Sequence, residues 1–246
     1  MTQFKLAVAQ VSSIAGDVDA NITTHLKAII KAGQLGVSYL VFPELSLTGY
    51  EPELAQKLSF SKNDKRLKAL IDAAIENNLH IAIGAPIRSD NLPSIGLIVI
   101  SPSGVVDSYQ KMNLHPGEDR YFSKGNCHHH IEIDGNKVVN AICADTNNAV
   151  HASYCSEINA TVYVAGVLIS ESGYCADTAK LQDYAKEYNL LVAMANHNRP
   201  TGAWKPVGKS AMWSSNGLLA QADEKQDALI IAEKAGNNWV AQVFEI

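Results

Sequence analysis

Residues 138–150, VVNAICADTNNAV, pass from a mostly apolar run into a cysteine and then at once into an acid, a threonine and two asparagines. The apolar run shows no regular polar alternation, which predicts a strand that is buried on both faces. Such a strand needs a covering layer on each side, as in a layered α/β fold. Polar residues at the ends of such strands often form the sites of α/β proteins. Cys143 is therefore either a small core residue or a nucleophile.

Strands alternate with helices in the first third of the chain. Three apolar runs predict strands: KLAVAQV at 5–11, SYLVFPE at 38–44 and HIAIGAPI at 80–87. Apolar residues at helical spacing predict one helix over 19–35, with Gly36 just past its end, and a second helix between Leu67 and Ile75. The predicted order is β-α-β-α-β.

The rest of the chain adds antiparallel strands to this pattern. Turn residues between apolar runs predict three hairpins, at 97–111, 128–143 and 208–222. A helix over 177–188 is expected between two further strands, at 161–168 and 190–197. No linker interrupts these elements, so we expect residues 1–246 to form a single domain. The predicted fold is α/β with mixed sheets, in which helices lie outside and sheets inside.

The composition argues against several classes of partner. Lysine and arginine number 20 against 25 acids, a formal net charge of −5, and no basic stripe would neutralise the phosphates of a nucleic acid. The N-terminal MTQFKLAVAQ lacks the apolar core of a signal peptide, and no run of about 20 apolar residues predicts a membrane span. We expect a cytoplasmic protein without nucleic-acid or membrane partners.

The four cysteines, at 127, 143, 155 and 175, lack the paired spacing of zinc sites. Thiols of a cytoplasmic protein are usually reduced, so each has to be judged separately. The cluster CHHHIEI at 127–133 contains the residue types of a zinc site, but alternate residues of a strand face opposite ways. One strand cannot supply four ligands. We interpret the cluster as a partly exposed edge strand and predict no metal site.

Three predicted strand ends carry residues of complementary chemistry: Glu44, Lys111 and Cys143. Taken singly, each has a simpler explanation, as a cap, a solvating edge charge or a core residue. Taken together, they provide the groups for acyl transfer. A thiol with an ordinary pKa of about 8.5 needs a base, which Glu44 could supply. Lys111 could stabilise the thiolate and the oxyanion that forms when the thiolate attacks a carbonyl.

Three blocks, in this order, resemble the signature blocks of the nitrilase superfamily of carbon–nitrogen hydrolases: VFPELSLTGY (41–50), YQKMNLHPGEDRYFSKG (109–125) and NAICADTNNAV (140–150). The resemblance extends over residues 4–233. It implies a four-layer α-β-β-α sandwich with mixed sheets. It also implies a catalytic triad of Glu44, Lys111 and Cys143, with a second glutamate at Glu118.

The chemistry that the resemblance implies is hydrolysis of a non-peptide C–N bond through a cysteine thioester. Glu44 would be general base to the thiol, general acid to the leaving amine, and then the group that activates water. Lys111 and the backbone N–H of Ala144 would hold the oxyanion, and Glu118 would position substrate or tune Lys111. Neither metal nor organic cofactor belongs to this mechanism. The resemblance also suggests a homodimer, to which the C-terminal segment 237–246 would lend an interface strand.

The chain departs from the family pattern directly after the cysteine. Members commonly have an aromatic residue there, and proline, arginine or glutamate a few residues later, where this chain has Ala144 and then Asn147 and Asn148. We expect these three residues to alter the pocket wall and to contact a polar substrate. Two aromatic residues either line the same pocket or serve in packing: Tyr50 and Trp204. A small amide is the expected substrate, and N-carbamoyl compounds and nitriles are alternatives because they would use the same residues.

Two other interpretations stay open. His197, in ANHNRP, could be the base of a Cys–His hydrolase with Asn196 or Asn198 as its orienting partner. That scheme leaves the Glu44 and Lys111 blocks unexplained. The chain could also be a catalytically silent scaffold or regulatory protein that keeps the fold. The family's four polar catalytic positions are all occupied in this chain, which argues against this second alternative: Glu44, Lys111, Glu118 and Cys143.

Overall fold

The computed structural model of the protein describes residues 3–246; residues 1 and 2, at the start of MTQFKLAVAQ, lie outside the described residues. The strands within 3–246 are β1 Lys5–Gln10, β2 Tyr39–Val41, β3 His80–Ile87, β4 Ser94–Ile100, β5 Val106–Gln110, β6 His129–Ile133, β7 Asn136–Ile142, β8 Val162–Val167, β9 Leu191–Asn196, β10 Ala211–Ser214, β11 Gly217–Gln221, β12 Ala228–Ala235 and β13 Asn238–Glu245. The helices are α1 Val18–Gln34, α2 Ala55–Leu58, α3 Lys68–Glu76, α4 Ala149–Glu157 and α5 Glu171–Glu187.

The strands form two mixed sheets. The first has the order β13-β12-β1-β2-β3-β4-β5, in which β1, β2 and β3 are parallel. The second has the order β11-β10-β9-β8-β7-β6, in which β7, β8 and β9 are parallel. Helices lie between the successive parallel strands, as parallel connections require, and the hairpins add the antiparallel edges.

The sheets pack face to face, and the helices cover their outer faces. Val41 of β2 and Val164 of β8 belong to the apolar cluster between the two sheets. Leu40, the neighbour of Val41, belongs instead to the cluster that joins the first sheet to α1 through Ile29. The outer face of the second sheet packs in the same way on α5 through Leu181. The strands are thus buried on both faces, and the predicted four-layer α-β-β-α sandwich is confirmed.

β2 is shorter than predicted, because the chain leaves the sheet before it reaches Glu44. Two glycines lie against the backbone that follows β2: Gly84 on β3 of the first sheet and Gly166 on β8 of the second sheet. A Cβ atom on Gly84 would be 2.1 Å from the carbonyl oxygen of Pro43, and a Cβ on Gly166 would be 2.5 Å from that of Phe42. Any other residue at these two positions would clash with the loop. The glycines therefore allow the loop that carries Glu44 to lie close to both sheets.

α5 starts earlier than the predicted helix over 177–188, since its first residue is Glu171. Cys175, expected to precede this helix, lies inside it. Gly173 explains the difference, because glycine has low helix propensity and weakens the helical pattern of the sequence.

β13 pairs with β12 and forms an edge of the first sheet. That the C-terminal segment lends a strand to a homodimer interface stays a prediction. That residues 1–246 form a single domain also stays a prediction. None of the helices within residues 3–246 combines the length and the apolar character that crossing a bilayer requires.

Candidate active site

Three of the predicted site residues follow strands of the two sheets. Glu44 lies in the loop after β2, Lys111 directly follows β5, and Cys143 directly follows β7. Glu44 and Cys143 both line one cavity of about 280 Å³. This volume is close to the lower end of the range for small-molecule sites, so the cavity suits a compact ligand.

Lys111 joins two carboxylates in the protein interior. Its Nζ donates to Oε1 of Glu44 at 2.7 Å and to both carboxylate oxygens of Glu118 at 2.9 Å. The Lys111 side chain is fully buried, and those of Glu44 and Glu118 are 1% and 4% exposed. Charges persist at this depth only when they are paired and hydrogen-bonded. The three side chains therefore form a single charged unit.

Glu118 is held in place on all sides. The Tyr50 hydroxyl donates to its Oε1 at 2.6 Å, and the backbone N–H of His115 donates to its Oε2 at 2.7 Å. Lys111 contacts both oxygens as well. With every oxygen engaged, Glu118 is suited to orient Lys111 and not to shuttle protons.

Glu44 has one engaged oxygen and one that is open. Its Oε2 is buried and has no hydrogen-bond partner among residues 3–246. Burial raises the pKa of the Glu44 carboxyl to about 7; the Lys111 ammonium opposes this rise and the Glu118 carboxylate adds to it. A carboxyl that titrates near neutral pH can both accept and return a proton. Glu44 is therefore the group of this site suited to proton transfer.

Lys111 remains a cation in this environment. Burial acts to lower the pKa of its ammonium, but the negative charges of Glu44, Cys143 and Glu118 outweigh burial and raise that pKa well above its ordinary value. The lysine can supply a permanent positive charge for a developing oxyanion.

Cys143 begins a 3₁₀ turn, Cys143–Asn147, directly after β7. Its φ of +40° lies in the left-handed region, which side chains with a Cβ rarely adopt and which recurs at functional sites. Its Sγ faces the carbonyl oxygen of Leu168 at 3.7 Å. Burial and the Glu44 carboxylate raise the pKa of the thiol well above its ordinary value, with Lys111 partly opposing them. The thiol therefore stays neutral until a base removes its proton.

Asp145 connects the turn of Cys143 to the segment after Lys111. Its Oδ1 accepts the backbone N–H groups of Met112 at 3.1 Å and Asn113 at 2.8 Å, and the Asn113 side-chain amide at 3.0 Å. Three hydrogen bonds to one buried carboxylate oxygen hold the two segments at a fixed distance. Asp145 is thus a positioning residue for both Lys111 and Cys143.

The second oxygen of Asp145 completes this connection. It accepts the backbone N–H of Ile142 at 3.0 Å and the hydroxyl of Tyr109, on β5, at 2.7 Å. The sequence pattern places Asp145 in the polar stretch that ends a strand and does not show this role. The available signal was an acid two residues after Cys143, in a segment that the apolar strand carries into the interior.

His197 forms a hydrogen bond to the backbone of Glu44. Its Nε2 donates to the Glu44 carbonyl oxygen at 2.7 Å, and burial lowers the pKa of His197 to about 4, with this bond opposing the shift. His197 is fully buried and is not one of the residues that line the cavity. No hydrogen bond joins His197 to Cys143 within residues 3–246. The geometry favours Glu44 over His197 as the base.

The two asparagines beside His197 are engaged elsewhere. The Asn196 amide donates to the carbonyl oxygen of Ile169 at 3.0 Å. The Asn198 amide donates to Asp227 at 2.6 Å. Neither side chain bonds to His197 as an orienting partner would, so a Cys–His–Asn arrangement has no support in the described residues.

Four of the five residues predicted to bind substrate lie in the cavity wall: Tyr50, Ala144, Asn147 and Trp204. The rings of Tyr50 and Trp204 meet edge to face, with centroids 6.4 Å apart. Asn148 lies elsewhere: its side chain accepts the backbone N–H of Val150 at 3.0 Å and so caps α4. Asn148 is not a wall residue, and its position does not fit the role predicted for it.

A further part of the wall, which was not predicted, comes from the connection between β8 and α5 and from the first two turns of α5: Leu168, Ile169, Ser170, Ser172, Gly173 and Asp177. These residues are distant from Cys143 in sequence. The parallel pairing of β7 with β8 brings the two strand ends together. The sequence feature that could have indicated this part of the wall is the buried strand β8, which is followed by the polar residues 170–172.

The segment 127–133 forms an edge strand and its lead-in. The ring of His128 stacks on Tyr154 with centroids 4.2 Å apart and an interplanar angle of 9°. Nδ1 of His130 lies 3.0 Å from the hydroxyl oxygen of Tyr154, at hydrogen-bond distance. Over residues 3–246, no group of three or more His, Cys, Asp or Glu side chains is arranged to hold a metal ion.

The family model for carbon–nitrogen hydrolases matches residues 5–238 of the chain. This chain belongs to the carbon–nitrogen hydrolase family. The predicted family and enzyme class are therefore confirmed. Solved structures of an amidase from Nesterenkonia sp. AN1 resemble this carbon–nitrogen hydrolase with a TM-score of 0.86 and 20% sequence identity, covering 95% of this chain and 91% of that chain. They share its fold.

Curated relatives of this carbon–nitrogen hydrolase include enzymes of different names. A glutamine-dependent NAD(+) synthetase of Thermotoga maritima is 29% identical over 211 residues, which are 82% of this chain and 36% of that protein. A nitrilase of Pyrococcus abyssi is 26% identical over 149 residues, which are 57% of this chain and 56% of that protein. The chain spans about a third of the length of the synthetase relatives that it matches.

Proposed function

We propose that this carbon–nitrogen hydrolase cleaves a small carboxamide through a thioester on Cys143 and releases ammonia or an amine. The observation that carries this proposal is the buried unit of Glu44, Lys111 and Glu118 beside the cavity that Cys143 also lines. In that unit, Oε2 of Glu44 has no hydrogen-bond partner among the described residues, and the Glu44 carboxyl has a pKa of about 7. A base, a fixed cation and a nucleophile are therefore available at one site.

The first half of the reaction forms the acyl-enzyme. Glu44 takes the proton from the Cys143 thiol as Sγ attacks the amide carbon, because the raised pKa of the thiol leaves little thiolate beforehand. The carbonyl π bond opens to a tetrahedral oxyanion. When that oxyanion collapses, the C–N bond breaks and Glu44 returns the proton to the leaving nitrogen. The products are a thioester on Cys143 and ammonia or an amine.

Two donors are suited to hold the oxyanion. Lys111 has three N–H groups; one is used on Glu44 and one can be shared between the two oxygens of Glu118, which leaves one for substrate. The backbone N–H of Ala144 lies in the first turn of the 3₁₀ helix, where N–H groups have no acceptor within the helix. Each such donor typically contributes a factor of about 100 to 1,000 in rate.

The second half of the reaction returns the free enzyme. Glu44, again unprotonated, removes a proton from water as the water oxygen attacks the thioester carbon. The C–S bond breaks, and Cys143 recovers a proton from Glu44. A carboxylic acid leaves. Glu118 stays bonded to Lys111 through both halves and keeps its ammonium aligned.

The relatives support a carboxamide as the bond type. One Nesterenkonia amidase structure carries the acetamide moiety of fluoroacetamide on its active-site cysteine, and another is a complex with butyramide. The synthetase relatives are glutamine-dependent, and glutamine is itself a carboxamide. We therefore place small primary amides ahead of N-carbamoyl compounds and nitriles.

A screen for ammonia release tests this proposal. Short alkyl amides, glutamine, carbamoyl-amines and nitriles are each incubated with the protein and with its Cys143→Ala variant. We expect release from one or more amides, and none above background from Cys143→Ala. Cys155→Ala is the matched control, because Cys155 is a buried thiol of α4 outside the cavity wall. Equal release by the protein and by Cys143→Ala would contradict the mechanism.

A further inference from the structure

The cavity wall carries a carboxylate that the reaction above does not use. Asp177 lines the cavity from α5, one helical turn after Gly173, which lines it too. A Cβ atom on Gly173 would lie 3.2 Å from Oδ2 of Asp177, closer than side chains normally pack. Because Gly173 has no side chain, the Asp177 carboxylate remains accessible from the cavity.

Among residues 3–246, Asp177 has only a weak ion-pair partner. The Nζ of Lys180 is 3.8 Å from its Oδ1, whereas the same Nζ is 2.5 Å from Oδ1 of Asn147. The lysine is therefore bonded to the asparagine and only near the aspartate. Partly exposed ion pairs at this helical spacing contribute a few tenths of a kcal/mol at most. The Asp177 carboxylate is free to bind a ligand more strongly than it binds Lys180.

The charge of the wall points to the kind of ligand. Glu44, Glu118 and Asp177 contribute carboxylates to the wall, and His115 contributes an imidazole. No lysine or arginine is among the wall residues within 3–246, although Lys180 is bonded to the wall residue Asn147. Lys111, behind the wall, offsets one charge of the Glu44–Glu118 pair, and Glu44, with a pKa of about 7, is about half ionised at neutral pH. Clefts lined by one sign of charge concentrate ligands of the opposite sign. The aromatic ring of Trp204 in the same wall also favours a cation.

Two parts of the cavity wall offer oxygen atoms to a ligand. Beside Cys143, the buried Oε2 of Glu44 has no hydrogen-bond partner among residues 3–246, as expected of a site that awaits a ligand. Leu168, whose carbonyl faces the sulfur of Cys143, lies just before α5. Asp177 lines the same cavity from the second turn of α5. A ligand whose amide group lies at Cys143 can use a second polar group to contact Asp177.

We propose that Asp177 forms a subsite for an ammonium group, so that the preferred substrates are small carboxamides with a cationic amine at the end remote from the reacting amide. This inference rests on the proposed function. An ammonium offers three N–H donors to a carboxylate. Such charge-assisted hydrogen bonds are about twice as strong as neutral ones. Gly173 keeps the space through which the amine reaches Asp177.

Matched substrate pairs test the subsite. Each ω-aminoalkanamide of four to six carbons is paired with the alkanamide in which a methyl group replaces the ammonium. The readout is the ratio of kcat/KM for the two members of a pair, because the ratio cancels any general loss of activity. We expect the protein to prefer the aminoalkanamide at one chain length, and Asp177→Asn to lower that ratio about tenfold, equivalent to about 1.4 kcal/mol. Gly173→Ala, which crowds Asp177, lowers it in the same direction.

Two further variants sharpen the result. Lys180→Met removes the competing cation and is expected to raise the ratio by up to about twofold, as a pair worth a few tenths of a kcal/mol allows. Glu171→Gln removes a negative charge from the first turn of α5 at a residue outside the wall, and is expected to leave the ratio unchanged. Equal falls in the ratio for Glu171→Gln and Asp177→Asn would contradict a specific subsite, as would an unchanged ratio in Asp177→Asn.

Binding separates this inference from the proposed reaction. Calorimetry with the Cys143→Ala variant measures the affinity of an aminoalkanamide without turnover. Binding that weakens about tenfold when Asp177→Asn is added supports the subsite even if the protein hydrolyses no amide. Hydrolysis of amides with no preference for the aminoalkanamide member of any pair overturns the subsite and leaves the reaction standing.

Discussion

The Nζ of Lys111 lies 2.7 Å from Oε1 of Glu44, and neither side chain is more than 1% exposed. These residues follow different strands of the first sheet, β5 and β2, and meet in the interior. An ion pair at this depth is costly to desolvate, so it persists only where its charges are well satisfied. Here it keeps a cation beside a carboxyl whose pKa is about 7.

Lys111→Met tests the contribution of this cation. The variant keeps much of the volume of lysine and removes its charge, so we expect kcat/KM for an amide to fall at least about 100-fold. It also leaves Glu44 and Glu118 without their partner, which should lower the free energy of unfolding by about 3 kcal/mol. Steady-state kinetics and urea denaturation measure the two effects. Lys62→Met, at an exposed ion pair with Asp107, is the control and should change neither by much. Activity near that of the parent would exclude Lys111 from the mechanism.

The pH dependence of activity should report the titration of Glu44. The base has to be unprotonated to accept the thiol proton, and burial raises the pKa of Glu44 to about 7. We therefore expect kcat/KM to fall about tenfold for each pH unit below about 7 and to level off above it. A pH–rate profile for one amide is the measurement. An acid limb that begins near pH 4.5, the pKa of an unperturbed glutamate, would argue against a buried Glu44 as base.

Asp145→Asn should impair the site without touching substrate. The amide nitrogen would replace one acceptor oxygen and oppose an N–H donor, either that of Ile142 or those of Met112 and Asn113. We expect a loss of stability of about 1–3 kcal/mol and a fall in kcat that exceeds the change in KM. Denaturation and kinetics measure both. Asp183→Asn, on the exposed face of α5, is the control. An unchanged kcat in a destabilised variant would restrict Asp145 to a structural role.

Acid should destabilise the fold through its buried histidines. Burial lowers the pKa values of His25, His151 and His197 to about 4, so each binds a proton in the unfolded chain below pH 6.5 but not in the folded one. Glu44, with its raised pKa, binds one proton more when folded and offsets one of the three. These four groups give a net difference of two protons, and burial also lowers the pKa values of His80 and His129, so we expect a loss of at least about 2 kcal/mol per pH unit between about pH 6.5 and 4.5.

Urea denaturation at several pH values measures this slope. His25→Asn removes one of these histidines, so the slope should fall by about 1.4 kcal/mol per pH unit whatever the stability of the variant at neutral pH. A free energy of unfolding that is constant between pH 6.5 and 4.5 would contradict the buried, neutral state of these side chains.

The elements that local pattern specifies could be predicted from the sequence. Continuous apolar strands predict sheets buried on both faces, and turn residues predict the hairpins. The charged groups at strand ends, together with a family resemblance, predicted Glu44, Lys111, Glu118 and Cys143. Their roles stay proposals, but the fold brings the charged unit and the cysteine to one cavity.

What local pattern could not predict depends on contacts distant in sequence. The bonds of Asp145 to Met112 and Asn113 join two sheets, and no periodicity shows them. The wall around Asp177 depends on the pairing of β7 with β8 and on a helix that begins before the pattern suggests. The sequence predicts Asn148 as a pocket residue, but in the structure its side chain caps the N-terminus of α4.

The most direct test of the central claim is the mass of the enzyme during turnover. The protein is mixed with an amide that it hydrolyses, quenched in acid within the first turnover, and measured intact and after digestion. We predict a mass increase of one acyl group, located on Cys143 and absent from Cys143→Ala. Turnover without any acyl group on Cys143, or with the group on Cys127, Cys155 or Cys175 instead, would contradict the account.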